Sequence, residues 1–153
     1  MKDTIRLAGI AYESLVNGPG IRRVFFSQGC NHNCKGCFNP ETHDFLGGEE
    51  KNINELIEDV YKNPMIKGIT FSGGDPFERA EEFAYMAKAF KEKNLNILFV
   101  SAECLPFCAN GGVSDMCYAL SKYISKNENH DVRVVLPYYT LIPEEYKSKF
   151  KLA

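Results

Sequence analysis

The sequence carries no excess of either charge: 18 Lys and Arg against 20 Asp and Glu leave a formal net charge of -2 over 153 residues. The two signs are interspersed, so the chain has no electrostatic footprint for nucleic acid. It has no apolar run approaching the roughly 20 residues that a membrane-spanning helix needs. Met1 to Gly20 contains no apolar core of the kind a secretory leader carries. Internal repeats and low-complexity stretches are likewise absent. These absences predict a cytoplasmic protein that partners neither nucleic acid nor membrane. What remains is ordinary: 44% apolar and 25% charged residues, in a chain long enough to bury one core.

Six cysteines are the informative part of that composition. Disulfides rarely persist in a reducing cytosol, so clustered cysteines there usually bind metal or do redox chemistry. Cys30, Cys34 and Cys37 form a Cys-x3-Cys-x2-Cys loop, too dense for disulfide stapling. Thiolates suit soft metal centres, and two readings compete. In one, His32 or His43 completes a closed Cys3His zinc site, making the chain a zinc-binding module. In the other, three cysteines hold three irons of a cubane and leave the fourth iron open. Cys104 and Cys108 repeat the x3 spacing, yet with Cys117 they read better as small buried hydrophobes than as a second site.

The apolar pattern alternates strands with helices, which predicts an α/β fold with a parallel sheet. Strands are expected at Arg23 to Ser27, Lys67 to Ser72, Asn96 to Ser101 and Asp131 to Leu136. One helix should carry Ile53, Leu56, Ile57, Val60 and Tyr61, capped by Asn52 with Glu55 three residues on. A second should bury Ala80, Phe83, Ala84, Ala87 and Phe90. A third, capped by Ser114, should turn Cys117, Leu120 and Ile124 inward.

Three stretches then occur in order: Asn17-Gly18-Pro19-Gly20-Ile21-Arg22, the loop Gly29 to Thr42 (GCNHNCKGCFNPET), and Ser72 to Pro76 (SGGDP). Together they resemble the radical S-adenosylmethionine activases of glycyl-radical enzymes over about residues 5 to 96. The Cys-Phe-Asn-Pro and Gly-Gly-Asp-Pro forms are most similar to the activases of anaerobic ribonucleoside-triphosphate reductase. The resemblance implies a partial radical-SAM (β/α) barrel. It implies a [4Fe-4S] cluster on Cys30, Cys34 and Cys37, with Gly36, Cys37, Phe38, Gly73, Gly74 and Asp75 against S-adenosylmethionine. It further implies reductive cleavage of that cofactor to a 5′-deoxyadenosyl radical, which takes hydrogen from a glycine of the reductase's catalytic subunit. The expected electron donor is a flavodoxin- or ferredoxin-type reductant. Glycines at 73 and 74 would let backbone approach the cofactor closely. Asp75 taken alone reads as a helix cap, and His32 as a loop residue rather than a ligand. Asn17 to Gly20 reads as a tight turn, which the resemblance sets near cofactor or partner. His43 departs from the family, which commonly has tryptophan there.

The resemblance stops near residue 96. From Asn96 to Ala153 the sequence resembles the N-terminus of bacterial glycogen (starch) synthase: a first strand, the Gly111-Gly112 turn, a helix, and the Asp131 to Pro137 strand. That family has a phosphate-binding lysine before its Gly-Gly turn, where this chain has Asn110, which supplies no charge. The expected organisation is therefore an activase-like core, 1–95, and a Rossmann-like βαβ segment, 96–153, packed as one domain. A non-functional fusion carrying an N-terminal fragment of an ADP-glucose-dependent glycogen synthase is the alternative. Foreign sequence would replace the cofactor wall that normally follows the third strand.

Overall fold

A computed structural model describes residues 3–109, 112–126 and 132–148. Its strands are β1 (Thr4–Ser14), β2 (Arg22–Ser27), β3 (Glu49–Asn52), β4 (Gly68–Gly73), β5 (Asn96–Val100) and β6 (Val132–Val135). Helices α1 (Ile53–Lys62), α2 (Ala80–Glu92), α3 (Gly112–Lys126) and α4 (Glu144–Lys147) lie between and after them. Local chemistry sets several of these ends. The Asn52 side chain accepts from the Asn54 and Glu55 N–H groups and so caps α1, which satisfies donors that the first helical turn leaves without partners. The apolar stripe of α1 buries Ile53, Leu56, Ile57 and Val60, and α2 buries Phe83, Met86, Ala87 and Phe90.

The strands form one six-stranded sheet in the order β3-β1-β2-β4-β5-β6. Strands β2, β4, β5 and β6 are parallel, whereas β1 runs antiparallel to both β2 and β3. The fold is thus mixed α/β and mostly parallel, not the wholly parallel arrangement expected. Among the described residues β3 and β6 form the two edges.

Register places Phe25, Phe71 and Phe99 in one row across the sheet. Their rings are fully buried, and Phe71 meets Phe83 at 4.5 Å while Phe25 meets Phe90 at 6.0 Å. This row and the inner faces of α1 and α2 make the core. Because Phe99 belongs to β5, the core passes through residue 96 without interruption: β5 pairs with β4 from Gly68–Asn96 to Phe71–Phe99.

On the opposite face, Thr70 donates to the Asn17 carbonyl at 2.7 Å. Arg22, 1% exposed, donates to Thr70 Oγ1 and to the carbonyls of Pro19, Ile69 and Asn96. One buried guanidinium thus ties β2, β4 and β5 together.

Sequence pattern missed β1 and β3. Strand β1 carries a legible alternation, with Ile5 and Leu7 buried and Thr4 and Arg6 half-buried. Strand β3 reads Glu-Glu-Lys-Asn and has no apolar residue to betray it. Ser114 lies inside the first turn of α3 instead of capping it, with its carbonyl accepting from Leu105 N–H. Cys117 and Ile124 turn inward as expected. Asn110, Gly111 and Asp131 lie outside the described residues. No helix among the described residues is long and apolar enough to cross a membrane.

Candidate metal centre

The cysteine loop leaves the carboxyl end of β2 and is closed at its base by backbone. Gly29 N–H donates to Thr42 O at 2.9 Å and Cys30 N–H to His43 O at 3.3 Å. The Gln28 side chain, buried beneath, donates to the carbonyls of Glu41 and Asp44. Gly29, Asn33 and Gly36 all have positive φ, at 106°, 44° and 81°, and each immediately precedes one of the three cysteines. Glycine and asparagine tolerate that region best. Gly29 has a second reason, since a Cβ there would lie 2.6 Å from the Phe45 ring. At Gly36 nothing lies within 4 Å, so only its φ demands glycine.

All three thiols are free; Cys30 and Cys37 are half-buried and Cys34 is exposed. Burial pushes the Cys30 thiol above its ordinary value, against an opposing hydrogen bond from the His32 backbone. Among the described residues no three His, Cys, Asp or Glu side chains gather round a single ion position. Three soft thiol donors on one solvent-facing loop have the chemistry that the irons of a cluster need.

His32 is engaged elsewhere. Its Nε2 lies 2.9 Å from Asp75 Oδ2, joining the cysteine loop to the Ser72 to Pro76 turn. Asp75 is 1% exposed; burial pushes its carboxyl up, while the Phe77 N–H and His32 pull the other way. Asp75 does serve as a cap, accepting from Phe77 N–H at the start of the 3-10 turn Pro76–Arg79.

The two loops also join through backbone: Gly74 N–H donates to Ser27 O and Asp75 N–H to Gly29 O. A Cβ at Gly73 would fall 2.5 Å from Ser27 N, and one at Gly74 2.5 Å from Gly29 O. On the side where a Cβ would stand, these glycines make room for β2 and the cysteine loop. Phe38, expected against the cofactor, stands fully exposed.

A cleft of about 360 Å³ opens beside the Gly-Gly turn, lined on one side by Ser72, Gly73 and Gly74. The Asn17 to Gly20 turn lies on the same sheet face, over Thr70 and Leu98. The other three cysteines, Cys104, Cys108 and Cys117, are buried. Cys117 packs into the core, and its hydrogen bond with Cys104, followed by burial, pushes its thiol far up.

A family model described as a 4Fe-4S single cluster domain matches residues 16–111. The chain belongs to that 4Fe-4S single cluster domain family. The match takes in the whole cysteine loop and the Gly-Gly-Asp-Pro turn. The pyruvate formate-lyase-activating enzyme of Clostridium pasteurianum is 36% identical over 96 residues, covering 60% of this chain and 40% of that protein. The anaerobic ribonucleoside-triphosphate reductase-activating protein of Enterobacteria phage T4 is 37% identical over 89 residues, covering 52% of this chain and 56% of that protein. A second model, described as a starch synthase catalytic domain, matches residues 96–153. The glycogen synthase of Ligilactobacillus salivarius is 49% identical over 55 residues, covering 36% of this chain and 12% of that protein. The chain thus spans about half or less of each relative's length. The two matches overlap at residues 96–111, a stretch that begins with β5.

Proposed function

We propose that this cluster-domain chain is a radical S-adenosylmethionine activase that installs a glycyl radical on a partner enzyme, anaerobic ribonucleoside-triphosphate reductase. One observation carries the reading. Three free thiols share a loop that is pinned, through His32–Asp75 and two backbone bonds, to the Gly-Gly turn at the carboxyl ends of parallel strands. Ligands bind at that end of parallel α/β sheets.

Cys30, Cys34 and Cys37 would hold three irons of a [4Fe-4S] cluster, leaving the fourth for the amino and carboxylate groups of S-adenosylmethionine. When bound, the cluster supplies the electron that cleaves the sulfonium reductively. The chain's own residues orient and enclose. The left-handed residues at 29, 33 and 36 present the thiols, Asp75 and His32 fix the loop, and the cleft beside Gly73 and Gly74 seats the nucleoside. Strands β2, β4, β5 and β6 would be part of the wall of a radical-SAM barrel. A flavodoxin- or ferredoxin-type reductant would deliver the electron.

The test is anaerobic reconstitution with iron and sulfide, then dithionite and S-adenosylmethionine, with assay for 5′-deoxyadenosine. Product should form and should vanish when Cys30, Cys34 or Cys37 is replaced by alanine. A brown, cluster-loaded protein that leaves S-adenosylmethionine intact would sink the reading.

A further inference from the structure

One cleft opens beside the Gly-Gly turn and another beside the cysteine loop, and both take their second wall from residues beyond Leu95. The first, about 360 Å³, faces Ser72 to Gly74 with Val100 to Ala102 and Val135 to Pro137. The second, about 300 Å³, faces His32 and Cys34 with Ala102, Glu103, Tyr139 and Leu141. Ala102 lines both.

Strand register explains the arrangement. Val100 pairs with Val135 across the parallel β5–β6 ladder, and continuing the β4–β5 register from Phe71–Phe99 brings Ser72 opposite Val100. Side chains alternate along a strand, so Ser72, Val100 and Val135 share the face opposite Phe71, Phe99 and Val134. They floor the first cleft. The wall above that floor is tied down: Ser101 N–H donates to Val135 O at 3.0 Å, and Ser101 Oγ donates to Glu103 O at 2.9 Å. Residues 100–102, which lie in both family matches, and residues 135–137, which lie in the starch synthase match alone, thus wall the cleft beside the Gly-Gly turn.

The chemistry of these walls selects a ligand. Neither cleft is lined by lysine or arginine. The first has Val100 and Val135 in its floor, apolar surface suited to a heteroaromatic base, and the second is lined by Glu103 beside Tyr139 and Leu141. Such walls disfavour a diphosphate, which calls for cationic partners, and suit a nucleoside bearing positive charge. We propose that residues 100–103 and 135–139 form the nucleoside-side wall of the cofactor cleft. The wall accepts an adenosyl sulfonium and rejects a nucleotide sugar. The inference rests on the activase reading, and its test separates the two.

Binding of S-adenosylmethionine to the oxidised, cluster-loaded full chain, without reductant, is measured by titration calorimetry, with ADP-glucose as the competing probe. Ala102→Phe and Val135→Phe extend bulk into the clefts; Val135 lies on an edge strand and is 48% exposed, so its variant should fold. Tyr123→Ser, on an exposed face of α3, is the control. Each cleft variant should weaken S-adenosylmethionine binding about tenfold or more while retaining full cluster absorbance. The control should bind as the parent does, and ADP-glucose should not bind. Parent-like affinity in both cluster-loaded cleft variants would overturn the wall, as would ADP-glucose binding that Val135→Phe abolishes. Failure of the cluster-loaded parent to bind S-adenosylmethionine would overturn the activase reading and this inference with it.

Discussion

At the scale of single residues, the site is governed by where a Cβ is forbidden. The Gly73-Gly74 pair was legible in the sequence as a special turn. The structure adds a reason that no local pattern carries: a Cβ at Gly74 would meet the Gly29 carbonyl, one residue before Cys30. Gly74→Ala should therefore displace the cysteine loop, which anchors the first thiol through Gly29 and Cys30. Iron and sulfide bound per chain after reconstitution should fall well below the parent's, with far-UV circular dichroism unchanged. Parent-like loading would show that the loop tolerates the added methyl. The recurrence of a left-handed residue before each cysteine was equally hidden. Asn33 gives no hint of positive φ in a sequence, and only the closed loop requires it.

At the scale of elements, the parallel strands depend on a buried cation more than pattern reading suggests. Arg22 opens β2 and looks like a surface residue in sequence. It is buried, and its guanidinium satisfies carbonyls on three other segments. Gly68 is glycine for the same reason, since a Cβ there would lie 2.2 Å from Arg22 Nη1. Arg22→Met would keep the length and lose the donors, leaving Thr70 Oγ1 and the carbonyls of Ile69 and Asn96 without them. Hydrogen bonds from a charged donor contribute about 1.5–3 kcal/mol each, less than additively, so a loss of about 3 kcal/mol is expected. Urea denaturation would register it as a lower midpoint at unchanged slope. A midpoint at the parent's value would mean that water replaces those donors.

For the molecule as a whole, the issue is whether a chain with two family likenesses unfolds as one body. Phe99, in the stretch that both family models match, packs 5.1 Å from Phe71 and 5.2 Å from Phe77. The Lys91 ammonium of α2 donates to the Ile124 carbonyl of α3. With ring contacts and a continuous ladder across residue 96, we expect a single cooperative transition by both near- and far-UV circular dichroism. Phe99→Ala should lower its midpoint, at a cost of about 3–5 kcal/mol, without splitting it. Two separated transitions would establish independent units on either side of Leu95.

The sequence by itself determined that three thiols share one short loop and that strands alternate with helices. Thiol identity and spacing are covalent facts of the chain, and apolar periodicity reports burial directly. It also marked where one likeness gives way to another, because that change is written in residue identities. Only the tertiary structure decided that His32 belongs to Asp75, that the glycines of the turn yield to the cysteine loop, and that Arg22 is buried. It alone joined Val100 to Ala102 with Val135 to Pro137 in one cleft. Each of these depends on strand order and register, which bring together residues far apart in sequence, and no local pattern encodes such distances. Strand β3 is the limiting case: four polar residues become a strand because β1 offers them an unpaired edge.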